Sequence, residues 1–154
     1  VFSQDGRKVY FNNREKIGDN VGDHNNRDYS AGSRNLLGRL YALNSNTGSW
    51  ILELGTYYVR GVGQIREIPP QNIKFVFTDN SSLEIRSQKV DNERLKERYY
   101  LYCCVFDLNV QQYNKFKKPL SYIIVKGDSS TSQWKAYPVN PYVLVNQYNC
   151  IKNL

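Results

Sequence analysis

Hydrophobic and polar residues alternate with a period of two along much of this chain, the pattern of strands with one face buried. Ile73, Phe75 and Phe77 alternate with Lys74 and Thr78, and Leu83 and Ile85 alternate with Glu84 and Arg86. Asp79-Asn80-Ser81-Ser82 lies between them, so this stretch predicts a hairpin. Segments 36–43 and 50–59 predict a second hairpin around 44–49, whose Asn and Gly residues tolerate left-handed backbone. Segment 2–11 predicts a third, because Asp5-Gly6 suits a two-residue turn before Val9-Tyr10-Phe11. Segment 98–106 is apolar at both parities, with Leu101, Cys103 and Val105 on one face and Tyr100, Tyr102, Cys104 and Phe106 on the other. It predicts a central strand covered on both sides. Segment 120–125 predicts a further strand, and Pro69-Pro70 ends any strand before it.

Helical signals come late in the chain. Asn109 and Gln112 stand at capping-box spacing, Leu108 and Tyr113 at that of a hydrophobic staple, and Pro119 stops the helix after Lys115, Lys117 and Lys118. A helix over 109–118 would bury Val110, Tyr113 and Phe116. From Pro141 onward a helix fits slightly better than a strand, since Asn140 can cap it and Leu144, Tyr148 and Ile151 share a face. Two segments show no periodicity. Segment 12–35 has only Ile17, Val21 and Tyr29 as bulky anchors and reads as a long polar loop, a length that marks a functional or mobile segment. Segment 91–98 is charged, with Leu95 its only bulky apolar residue, and reads as a short exposed helix or a loop.

These elements fit one domain spanning 1–154, of α+β class, mainly antiparallel sheet with one or two short helices. An all-β sandwich or barrel is the alternative. A chain of 154 residues is long enough to bury a core without metal or disulfide support. Its 13 tyrosines favour half-buried strands, and its 17 asparagines favour tight turns. No apolar run reaches the roughly 20 residues of a membrane helix. The chain starts at Val1 and has no methionine, which suggests a processed or trimmed form from which any export signal is already gone.

Two resemblances are local. The string from Gly38 to Trp50 resembles one blade of quinoprotein-type β-propeller repeats in its Tyr-Ala-Leu, Asn, Thr-Gly and Trp positions. It occurs once, and a propeller needs at least four blades, so the likeness is one of hairpin chemistry. Segment 73–126, running strand, Asp-Asn turn, strand, Tyr-rich strand, capped helix and Tyr-Ile-Ile-Val strand, resembles small uncharacterised extracytoplasmic or lipoprotein domains of Bacteroidetes. That resemblance implies export and an accessory role, and it brings no catalytic residues. The adjacent Cys103-Cys104 pair departs from it.

The formal charge is +7, and its one local concentration begins after Leu108. There Lys115, Lys117, Lys118, Lys126, Lys135 and Lys152 face only Asp128. Such a basic patch attracts phosphate, acidic glycan or acidic protein, or serves as a solvated face. Arginine-rich helices and aromatic ribonucleoprotein motifs are both missing from it.

Catalytic and metal chemistry find little support in the residue types. Adjacent strand residues point to opposite faces, so at most one of Cys103 and Cys104 could bridge Cys150, and three buried thiols are the other arrangement. Structural zinc lacks its four ligands. The Asp and Asn residues around His24, with Asp19, could bind calcium, but their spacing is not that of an EF-hand. No nucleophile-elbow sequence flanks a serine or cysteine. Glu53, Glu67 and Glu84 are the carboxylates a glycosidase could use.

The sequence therefore predicts a non-catalytic binding or assembly domain, exported or surface-displayed, with no cofactor and with a protein or glycan partner. Trp50, Tyr57, Tyr58 and Trp134 are its candidate ligand-binding aromatics, each with a place in the core as its alternative. A nucleic-acid-binding domain using Lys115, Lys117, Lys118 and Lys126, and a structural component of a virion or surface assembly, are the alternative functions.

Overall fold

The computed structural model describes residues 2–4, 7–20, 34–43, 49–59, 68–97, 99–127 and 133–152, and not the side chains of 2–4, 7–11, 43, 49, 58, 59 and 152. The chain forms strands β1 (Phe2–Gln4), β2 (Arg7–Phe11), β3 (Glu15–Asp19), β4 (Asn35–Leu43), β5 (Ser49–Val59), β6 (Asn72–Phe77), β7 (Ser82–Arg86), β8 (Val90–Lys96) and β9 (Tyr99–Leu108). Helix α1 (Val110–Asn114), strands β10 (Leu120–Lys126) and β11 (Gln133–Ala136), and helix α2 (Val143–Lys152) follow. This is an α+β fold of two antiparallel sheets and two short helices. Among the described residues neither sheet closes into a barrel.

The larger sheet runs β1-β2-β4-β5-β9-β8, and β3 pairs with β4 beyond the end of β2. The smaller runs β11-β10-β6-β7. The inward rows of both sheets, including Leu40, Leu52, Leu54, Phe106, Phe75 and Ile123, form one core with Tyr113, Phe116 and the Leu144, Tyr148 and Ile151 face of α2. The sheets also join through backbone: Asp19 and Tyr137 exchange amide-to-carbonyl bonds of 3.1 and 2.7 Å.

The three expected hairpins form, and in the first Gln4 pairs with Arg7 across 5–6, which lie outside the described residues. The capping box at Asn109 forms through bonds of 2.8 and 3.0 Å with Gln112. Helix α1 is nevertheless shorter than expected, since a 3-10 turn (Lys115–Lys117) replaces its second half. Tyr113 and Phe116 are buried as the stripe requires, whereas Val110 is exposed because a helix of this length packs only its far side.

Other expectations are corrected. The 12–35 segment is not all loop, because it contains β3, whose Ile17 is fully buried. Residues 21–33 of it lie outside the described residues. The 91–98 segment is largely strand β8, an edge strand whose side chains are nearly all exposed. Periodicity reports buried faces, and β8 has none to report. Strand β9 is paired on both edges but lies one position in from the edge of its sheet. Helix α2 begins at Val143, after a turn in which the Asn140 side chain accepts the Tyr142 amide at 3.0 Å.

Candidate functional site

Odd-numbered residues of β5 and β9 point away from the core, onto the outer face of the larger sheet, where Ile51, Leu101 and Cys103 are nonetheless buried. The ladder aligns Arg39 with Glu53 and Val105, and Gly55 with Cys103, which in turn faces Asp91 of β8. Glu53 is only 8% exposed although it lies on this outer face. Its two oxygens are held by different cations: Arg14 Nε donates to Oε1 at 2.5 Å, and Arg39 Nη2 donates to Oε2 at 3.2 Å. Arg14 continues to Glu93 of β8 at 3.2 Å and touches Cys103 Sγ at 3.8 Å. Arg14 precedes β3, which is four inter-strand steps from β8, about 19 Å in a flat sheet at the usual strand spacing. The Arg14 side chain, coming from the break before β3 and not from a strand, nevertheless bridges β5 and β8 on this face.

Electrostatics follow from that geometry. Burial alone would lower the Arg14 pKa, but its hydrogen bond to Glu53 and the charge of that carboxylate outweigh it and raise the pKa. Burial, reinforced by Glu53, raises the Tyr41 hydroxyl. Burial also raises the Cys103 thiol against the pull of Arg14, and pushes Cys104 up to about 12. Both are held as neutral thiols, and all three cysteines are free, with only Cys150 exposed.

Toward the far end of this face the exposure rises. Tyr57 is 45% and Tyr99 47% exposed, and the register sets them diagonally across β5 and β9, with Leu101 opposite Tyr57. Lys96 Nζ stands 5.6 Å from the Tyr99 ring centroid. Beside them β8 presents an edge that no described strand pairs. The β8–β9 turn carries Glu97 in the left-handed region, at φ 42°.

No family model, curated protein or solved structure matches this chain.

The candidate aromatics separate. Trp134 is 1% exposed and belongs to the core. Trp50 is partly buried and stacks on Tyr113, with ring centroids 4.8 Å apart. Tyr57 is open to solvent, and the side chain of Tyr58 lies outside the described residues.

The four lysines are largely committed within the fold. Lys115 donates to the Ser82 carbonyl at 3.0 Å, Lys118 pairs with Asp79 at 2.8 Å, and Lys126 pairs with Glu84 at 2.9 Å. Lys117 is exposed. Three of the four therefore tie the α1 turn and β10 to the β6–β7 hairpin.

Of the carboxylates, Glu53 and Glu84 lie on different sheets, each bound to a cation, and Glu67 and His24 lie outside the described residues. Among the described residues no three His, Cys, Asp or Glu side chains gather as a metal site. No described helix is long and apolar enough to cross a membrane.

Sequence reasoning did not single out Arg14, Arg39 or Tyr99. Arg39 was legible, because it alternates with Gly38 and Leu40 and so faces outward. Arg14 carried no such signal, since it sits in the unpatterned break before β3.

Proposed function

We propose that this chain is a non-catalytic binding or assembly domain, exported or surface-displayed, that takes an extended protein segment onto the edge of β8. The observation that carries the reading is the edge of β8, which no described strand pairs, beside Leu95, Tyr99 and Tyr57, three exposed side chains at the same end of the sheet. An edge strand offers a row of backbone donors and acceptors, and neighbouring apolar side chains give an added strand its specificity. Asp91, Glu93, Arg94 and Lys96 supply mixed charge, which opposes indiscriminate pairing. A glycan held against the Tyr57 and Tyr99 rings is the second reading, favoured by their exposure.

Selection from a displayed random-peptide library, beside a glycan array, tests both. Binders lost on Tyr99→Ala and Leu95→Lys support strand addition. Sugars lost on Tyr57→Ala and Tyr99→Ala support the second reading. Ligands indifferent to all three substitutions would remove this edge from consideration.

A further inference from the structure

The outer face of the smaller sheet carries a different chemistry. The ladder places Lys135, Ile124, Lys74 and Glu84 in one row across β11, β10, β6 and β7. A second row holds Gln133, Lys126, Asn72 and Arg86, and a third holds Tyr122 beside Val76 and Ser82. Tyr137, just past β11, joins this third row, its ring centroid 6.4 Å from that of Tyr122. Among the described residues, four cations, Lys74, Arg86, Lys126 and Lys135, thus share a face with one carboxylate, Glu84, which Lys126 matches. Lys135 Nζ stands 5.0 Å from the Tyr122 centroid. Both tyrosines are partly buried, and their rings are tilted by 44° to one another.

We propose that this face binds single-stranded nucleic acid. Cations distributed over four strands can track a phosphate backbone, and adjacent aromatic rings on a sheet offer unpaired bases a stacking platform. A duplex buries its base faces, and an acidic polypeptide has no use for the rings. The charge and the rings together therefore favour the single strand over either. The surface is on the other sheet from β8, so the inference goes beyond the strand-addition reading and stands or falls without it.

The test is fluorescence anisotropy of a labelled single-stranded oligonucleotide of about 16 nucleotides, the upper end of single-domain site sizes. A duplex of the same sequence and polyglutamate serve as competitors. Three phosphate contacts, with Lys126 left on Glu84, predict affinity about 20-fold weaker at roughly 200 than at 50 mM salt. Lys74→Glu with Lys135→Glu should weaken binding about tenfold or more at low salt, and Tyr122→Ala about fivefold or more. Tyr99→Ala and Lys117→Glu should leave it unchanged. Arg86→Glu, at an exposed position, provides an independent reading if the paired substitution lowers the melting temperature. No binding at the lowest salt, equal competition by duplex or polyglutamate, or loss on Lys117→Glu without loss on the sheet variants would each overturn the proposal.

Discussion

The side-chain oxygen of Gln147 accepts the backbone amide proton of Leu40 at 2.7 Å, across 107 residues of sequence. Strands β2 and β3 lie along the same edge of β4, Phe11 opposite Tyr41 and Glu15 opposite Gly38, and the gap between them leaves Leu40 without a strand partner on that edge. Gln147 takes the Leu40 amide and Asn12 donates to the Leu40 carbonyl at 2.9 Å, so two side chains replace the missing ladder rungs. The Gln147 amide group then donates to the Asn13 carbonyl and to Glu15. A buried amide left unpaired costs about 1–3 kcal/mol. Gln147→Leu is therefore expected to lower stability by about that much, read as a shift of the urea midpoint. An unchanged midpoint would mean that water or a shifted strand satisfies Leu40.

Gly18 lies where the two sheets meet. A β-carbon there would stand 3.0 Å from Ala136 Cβ and 3.3 Å from the Tyr137 carbonyl oxygen. Neither atom is the end of a flexible chain, and Tyr137 is pinned by its backbone bonds to Asp19. Gly18→Ala should cost about 1–3 kcal/mol, the usual range for overpacking, measured by thermal or urea unfolding.

Lys118 and the Ser81 side chain and amide hold the Asp79 carboxyl well below the usual carboxylate range. Because the folded pKa lies below the unfolded one, the unfolded chain takes up this proton first as pH falls. The stabilisation is complete above the unfolded value of about 3.9 and is lost as pH drops through the folded value. Lys118→Gln should move the Asp79 midpoint upward in a carbon-detected NMR titration. Lys126→Gln should do the same for Glu84, which Lys126 also depresses. Midpoints unmoved by these substitutions would show that neither pair forms in solution.

Native protein should expose one thiol to a disulfide reagent, Cys150 on α2. Cys103 and Cys104 should react only after unfolding, being buried and held protonated. Rapid reaction of all three in native buffer would contradict the packing of β9.

The hairpins and the Asn109 cap were legible because each depends on neighbours in sequence: alternation, turn residues, or a side chain three positions from its partner. The C-terminal helix face was legible for the same reason, since Leu144, Tyr148 and Ile151 repeat at helical spacing. Strand β8 was not, because an edge strand is held by its backbone ladder to β9 and buries neither face. Tyr57 was recognised as an aromatic near a strand end, but its openness, against the burial of Trp134, depends on which strands end up beside each ring.

The sequence by itself determined where strands alternate, where turns and caps lie, and that the chain is basic and rich in tyrosine. Tertiary structure decided which of those residues meet. Arg14 meets Glu53 and Glu93 together only through the pairing that sets β5, β9 and β8 side by side, and Tyr122 meets Tyr137 only through the pairing of β10 with β11. Local propensity acts over a few residues, whereas burial and charge pairing act between strands far apart in the chain. The surfaces proposed to bind therefore came from pairing that no single segment encodes.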